Sequence, residues 1–447
     1  MYLEAAPELA GLPFLLNNAT LTTTSPPLES ADRPAGTAPS ALRVNSETGP
    51  LRQVLVHTPG EEMRLVSPEN KLDLLFDDLL FTERAQEEHQ LMCQLFEAVV
   101  DQPDVVLQVS DLLRDTFDIE DARYEFIALL AERLPERNFE AYEQELRRLS
   151  PAELHRFALT GQSSLRLSTN PLPNLMFTRD LSAVVGEHVI LSHAATDARA
   201  RESIVIRTIY RHHPRFAGLG DRLIELPADV SFEGGDLLVV NEKVVLIGQS
   251  ERTSLGGVMA VTQELMARTP VEHVLMVNLP KARYCMHLDT VFTFASEDEC
   301  VAFPPIIEHD RQNVMHLTAG ESPDRFHMQV WPNLKEALEA LTERSYTFIA
   351  CGGDDPVTQR REQWTDGANL FALAPGIVVG YERNQVTNNA LRDRGYHVVE
   401  AEAFLAYHAG NPIGGDSKVA IQLRGHELSR GRGGPRCMTM PLLRSEL

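Results

Sequence analysis

The sequence is poor in cysteine, in aromatic residues and in positive charge. Its 447 residues include five Cys, two Trp and 6% aromatic residues in all. The five thiols, Cys93, Cys285, Cys300, Cys351 and Cys437, are an odd number without a C-x-x-C pair, which excludes a disulfide framework and a Cys-rich zinc site. Lys and Arg number 41 against 64 Asp and Glu, a formal net charge of −23. That balance argues against a general nucleic-acid binder and against a binder of anionic membranes, both of which need a basic surface. No apolar run approaches the roughly 20 residues that span a bilayer. Glu4 and Glu8 precede any basic residue and the first Arg is Arg33, so neither a secretory n-region nor an Arg-rich transit peptide is recognised. These absences lead to an expected cytoplasmic location with no membrane or nucleic-acid partner.

What is present is ordinary globular material, 43% hydrophobic and 23% charged, enough for a large core. Residues 1–42 are the exception. Their Thr, Ser, Pro and Ala (TLTTTSPPLESADRPAGTAPS) bury too little apolar surface to order a chain, and we read them as a flexible extension. Residues 43–447 are read as one α/β domain. RQVLVHTPG from Arg52 reads as a strand ended by a Pro-Gly turn, and from about 72 to 160 apolar residues at helical spacing predict a helical insert. Beyond Thr169 short strands recur: HVILSH near Val189, KVVLIGQ near Val244, ECVAFPPI near Val301 and GIVVGYERN near Val378. The last interval is longer, and an extra helix is expected around 320–350. Each of these strands follows a polar motif and a first strand, so a ββαβ unit repeated about five times is predicted, its first copy split between RQVLVHTPG and the C-terminal end. An open doubly wound sheet fits the paired strands less well.

Five segments place ionisable or polar residues inside otherwise apolar strands. They are PNLMFTRD with Asp180 ending a strand, FEGGDLLVV with Glu233 before two glycines that permit close approach, HLDTVFTF with His287 and Asp289 on one face of a strand, EQWTDGANLFALAPG, and RGRGGPRCM with Cys437. Singly, a lone Asp is usually a cap, E-G-G-D a bulge, and His-x-Asp a structural pair. His287 and Asp289 alone are too few for zinc, and the glycines before Cys437 lack phosphate-loop spacing. Cys93, Cys285, Cys300 and Cys351 lie on apolar stretches and are assigned to packing. Cys437 has Arg436, Arg432 and Arg430 nearby, cations that favour a thiolate. Together the residues make one thiol, one imidazole and three carboxylates. That set suits attack on a guanidinium, a planar cation that stays protonated and binds carboxylates bidentately.

The motifs PNLMFTRD, FEGGD, HLDTVFTF, REQWTDGANLFALAPGIVVGYERNQVTN and RGRGGPRCMTMPL, together with LLFDD at Leu74–Asp78, resemble those of bacterial arginine deiminases, of the guanidino-group-modifying (amidinotransferase) superfamily, in the same order from about Gly49 onward. The resemblance implies a five-bladed pseudo-symmetric α/β propeller that uses no metal or organic cofactor. It implies a hydrolase of linear amidines that turns L-arginine and water into L-citrulline and ammonia through a Cys S-alkylthiouronium. Carried over, Cys437 is the nucleophile and His287 the general acid and base. Asp180 and Asp289 grip the guanidinium, while Glu233 contacts it and holds His287. Arg199, Arg252 and Arg432 read the substrate carboxylate or close the site, and Leu75, Asn174 and Phe177 complete the pocket. A homo-oligomer, dimer or tetramer, is expected.

Some residues depart from the pattern. Thr58 and Leu181 stand where Arg and Pro are common, and the segment Ala406 to Ser429 is long. The alternatives are a related enzyme, either a dihydrolase giving ornithine or an amidinotransferase, and a non-catalytic arginine sensor.

Overall fold

A computed structural model describes residues 42–447 except 101–103, 134–138, 165–167, 310–312, 323–324 and 409–416. The expected extension therefore lies outside the described residues apart from Leu42, as does part of the long 406–429 segment. The fold is mixed α/β. Its strands form five separate sheets, and the same unit recurs in each.

Four units begin with an antiparallel hairpin of consecutive strands: Ser182–Val185 with His188–Leu191, Leu237–Val239 with Val244–Gln249, Phe292–Phe294 with Glu299–Ala302, and Phe371–Ala374 with Ile377–Tyr381. In the fifth, Leu51–Val56 pairs antiparallel with Met440–Arg444, so that unit is split as the sequence suggested. Each hairpin then gains a parallel strand: Leu223–Ile224, His273–Asn278, Thr347–Ala350, Val419–Leu423 and Val106–Gln108 respectively. Parallel neighbours cannot be joined by a tight turn. Helices Ala200–His212, Leu255–Arg268 and Thr82–Val99 supply three of the crossovers. The first strands Ser182–Val185, Leu237–Val239 and Phe292–Phe294 are rich in Val, Leu and Phe and are buried along their whole length, as expected for strands covered on both faces.

Within 72–160 one short strand, Val106–Gln108, separates the crossover helix Thr82–Val99 from four further helices, Val109–Phe117, Glu120–Arg133, Phe139–Leu146 and Pro151–Thr160. The last begins with a capping box, Ser150 exchanging hydrogen bonds with Glu153, and ends at Gly161 in the left-handed region, so its limits follow from local chemistry. Around 320–350 the expected helix is Leu334–Thr342. It is preceded by a hairpin the sequence reading did not foresee, Val314–Ala319 with Phe326–Trp331, which extends the Val244–Gln249 sheet to five strands. Among the described residues no helix is long and apolar enough to cross a membrane.

Candidate active site

In every unit a tight turn precedes the first hairpin strand, Met440–Arg444 in the split unit, and these five turns carry the polar motifs. Two of them correct the sequence reading. Asp180 does not end a strand: it lies in the 3-10 turn Thr178–Leu181 that leads into Ser182–Val185. His287 and Asp289 do not share a strand face. His287 caps the 3-10 turn Leu288–Thr290, where its carbonyl accepts from Thr290 Oγ1 at 2.6 Å. With three residues per turn, positions two apart diverge: His287 faces Glu233 and Asp180, and Asp289 faces Cys437 and Arg436. The other turns are Gly234–Asp236 capped by Glu233, residues 365–368 before Asn369, and residues 435–438 holding Cys437.

The turns meet closely because the Glu233 turn is built on two glycines. A Cβ on Gly234 would lie 2.4 Å from Arg179 O and 2.5 Å from Ser182 O, and one on Gly235 would lie 2.7 Å from Asp180 Oδ1 and 2.9 Å from His287 Nδ1. The glycines are what lets the Glu233 turn sit against the Asp180 turn and the imidazole.

Cys437 Sγ is 3.7 Å from Asp289 Oδ2 and 3.9 Å from Oδ1. The Cys437 backbone N–H donates to Asn369 Oδ1 at 3.0 Å, and Asn369 Nδ2 donates to the Asp289 carbonyl at 2.9 Å. One amide thus ties the thiol turn to the Asp289 turn. His287 Nε2 lies 2.8 Å from Glu233 Oε2, and Nδ1 lies 3.6 Å from Asp180 Oδ1. Asp180 Oδ1 is buried without a hydrogen-bond partner, while Oδ2 accepts from Arg199 Nη1 at 2.5 Å. All five residues named as catalytic in the sequence are brought together, each less than a tenth exposed.

Burial alone would raise Glu233, but its hydrogen bond to His287 and the charges of Arg199, His287 and Arg252 outweigh it and hold the carboxyl at about 2. Burial would lower His287, yet Asp180, Glu233 and Asp236 lift it to about 9. The pair is therefore carboxylate and imidazolium at neutral pH. Cys437 behaves otherwise than its basic flank suggests. Burial, then Asp289, Asp180 and Asp366, push the thiol well above its usual range. The arginines are turned elsewhere: Arg436 to Glu47 and Asp289, Arg430 to Asp78 and Glu427, and Arg432 onto the Trp364 ring, 3.3 Å from its centroid. The thiolate expected from sequence proximity is not favoured by these surroundings. A cation placed among the carboxylates acts in the opposite direction.

A cavity of about 20 Å³ lies over the thiol, lined by Leu75, Asn174, Phe177, Arg199, Arg252 and Arg432 among others. All six expected pocket residues are there, with Arg283, Met286 and Thr290, which the sequence reading did not single out. The space holds about one water. Its cover is the loop around Leu75, held by Asn174 Nδ2 to the Leu74 carbonyl (2.9 Å), Arg283 Nη2 to the Leu75 carbonyl (2.5 Å) and to Asp77 (3.1 Å), and Arg430 to Asp78 (2.9 Å). Leu75 and Arg432 both have φ of +66°, a strained conformation for side chains of this size. A wider cavity of about 550 Å³ beside Arg344 and Lys418 holds none of the site residues.

Arg199 is committed inward, to Asp180, to Glu233 at 3.5 Å and to Glu202 at 2.8 Å. Arg252 lines the cavity with Nε lacking a hydrogen-bond partner. Ligand atoms of Asp180, Glu233 and His287 all lie within 4.8 Å of one another, a spacing a metal ion would accept. The Glu233–His287 hydrogen bond and the Arg199 guanidinium engage Glu233 Oε2, His287 Nε2 and Asp180 Oδ2, which leaves Asp180 Oδ1 as the unpartnered oxygen of the group.

The architecture has solved counterparts. SxtG, an amidinotransferase from Microseira wollei in the saxitoxin biosynthetic pathway, superposes with a TM-score of 0.52 at 12% identity, covering 91% of this chain and 98% of that one. At that identity the likeness is one of fold alone. A family model described as arginine deiminase matches residues 141–444. The arginine deiminase of Listeria monocytogenes serotype 4b (strain CLIP80459) is 34% identical over 437 residues, covering 91% of this chain and 98% of that protein. That of Clostridium perfringens (strain SM101 / Type A) is 35% identical over 444 residues, covering 91% and 99%. The chain belongs to the arginine deiminase family.

Proposed function

We propose that this chain hydrolyses L-arginine to L-citrulline and ammonia, acting in the cytoplasm, and that its five sheets are the blades of a five-bladed α/β propeller with the site at the axis. The observation that carries the reading is the convergence of a thiol, an imidazolium and three carboxylates from turns of successive units. Asp180 and Asp289 are the residues that would hold the guanidinium, and Glu233 keeps His287 protonated. The cation lowers the neighbouring thiol, which loses its proton to solvent, and Cys437 as thiolate adds to the guanidinium carbon. His287 passes its proton to one nitrogen, which departs as ammonia and leaves an S-alkylthiouronium. Water, deprotonated by the now neutral His287, adds to the same carbon. Collapse expels the thiolate and releases citrulline. Arg252 and Arg432 read the α-carboxylate beside the backbone near Leu75, while Arg199, committed inward, balances the carboxylates. Fixing both ends of the substrate keeps the reacting carbon over sulfur.

The test is a product assay on purified protein with arginine, agmatine and methylated arginine. Citrulline and ammonia from arginine are expected. Ornithine in place of citrulline would make it a dihydrolase, amidine transfer to an added amine an amidinotransferase, and arginine binding without ammonia release a sensor. Light scattering addresses the homo-oligomer, dimer or tetramer, that completes this reading.

A further inference from the structure

Beneath the thiol lies a buried ionic cluster that the chemistry above leaves unused. Arg436, next in sequence to the nucleophile, is 1% exposed. Its Nε and Nη2 donate to the two oxygens of Glu47, each at 3.0 Å, Nη2 also donates to the Leu237 carbonyl at 3.0 Å, and Nη1 donates to Asp289 Oδ2 at 2.8 Å. Four donor contacts fix the plane of this guanidinium. Glu47 is fixed in turn: its N–H donates to the Val239 carbonyl and its Oε1 accepts from Val239 N–H. Arg179, also buried, closes the rear, its Nε donating to the Arg436 carbonyl and its N–H to the Cys437 carbonyl.

The oxygen Arg436 grips is the Asp289 oxygen nearer to Cys437 Sγ. A carboxylate turns easily about its terminal torsion, which is broad and two-fold, and a small rotation would move both oxygens relative to the thiol. A bond at one oxygen, from a donor itself held at three other points, removes that freedom. It also matches charge, because an unpaired Asp289 in this dry place would be costly.

We propose that Arg436, braced by Glu47, is a positioning residue that sets the orientation of Asp289 and, through it, the pose of the substrate guanidinium over Cys437. It touches no substrate atom; it acts through Asp289. The inference rests on the proposed arginine chemistry and deepens it.

The test uses the Cys437→Ala protein, in which L-arginine binding is measured by calorimetry without turnover. Arg436→Lys retains the charge and removes the fork. It is expected to weaken arginine binding about tenfold when Asp289 is present, and by less than about twofold in the Asp289→Asn background, since interactions that work through one group are non-additive. Glu47→Gln, which loosens the brace while leaving Arg436 in place, is expected to give a smaller loss with the same dependence on Asp289, and carries the test should Arg436→Lys fail to fold. Equal losses in both backgrounds, or none in either, overturn the proposal. Failure of Cys437→Ala alone to bind arginine would remove the arginine reading and this inference with it. That failure is distinguishable because it precedes any change at Arg436.

Discussion

The site has a floor and a cover, both held by arginine–carboxylate pairs, and the two differ in where those pairs sit. On the floor, Arg436, Glu47 and Asp289 are buried with fixed geometry. On the cover, Arg430 with Asp78 and Arg283 with Asp77 have side chains 30–53% exposed. Breaking a buried pair strands a charge and costs about 3–5 kcal/mol, while an exposed pair contributes about 0–1 kcal/mol and weakens with salt. The same chemistry therefore makes one half of the site rigid and the other releasable. A space the size of a water is too small for arginine, so part of the lining must move to admit it, and the exposed pairs of the cover are the ones that yield at least cost.

The largest effects are expected on the floor. Cys437→Ala should reduce citrulline formation to background, a loss of about 10⁴-fold or more; retained turnover would place the nucleophile elsewhere. Glu233→Gln should follow. It removes a charge that lifts His287, so the imidazolium is lost at lower pH, kcat falls about 10²-fold, and the alkaline limb of the rate profile moves down from the neighbourhood of 9. An unmoved limb would separate Glu233 from the histidine.

The cover should give smaller, salt-sensitive effects. Arg283→Ala or Asp78→Ala is expected to change KM about two- to fivefold with kcat nearly constant, the difference shrinking in high salt. A loss as large as that of Glu233→Gln would erase the distinction between the halves.

The smallest effect concerns stability. Burial raises the Asp236 carboxyl to about 7, although it accepts from Ser250 Oγ at 2.7 Å and Leu288 N–H at 2.8 Å. A raised acid favours the fold below its unfolded pKa of 3.8 and gives that contribution up as pH rises through 7. Asp236→Asn should flatten the fall in urea midpoint between about pH 4 and 7. Parallel profiles would mean that Asp236 is ionised throughout.

The five residues that meet at the candidate site were legible in the sequence because each interrupts an apolar run, and the split first unit was legible from the recurrence of strand pairs. What escaped has physical reasons. Glu47 belongs to no motif, and its partner Arg436 lies 389 residues away; a pair of that separation leaves no local pattern. Arg436 was visible only as a charge beside the thiol, since sequence adjacency does not tell which way a side chain turns. The hairpin Val314–Ala319 with Phe326–Trp331 was hidden because its outer strand is exposed on both faces and lacks the buried signature of the first hairpin strands. The turn geometry of His287 and Asp289 depends on the Thr290 hydroxyl and on Asp236, 52 residues before Leu288.

The pairing of Leu51–Val56 with Met440–Arg444 also bears on the order of events during synthesis. The turn holding Cys437 is completed by a strand whose partner is made nearly four hundred residues earlier, so the early strand must wait with its edge unpaired while the other units form. Closing such a long loop is an entropic cost met only at the end. In a growing chain the segments carrying Asp180, Glu233 and His287 are therefore made before the strand that completes the Cys437 turn, and that turn cannot be closed until the last residues have been added.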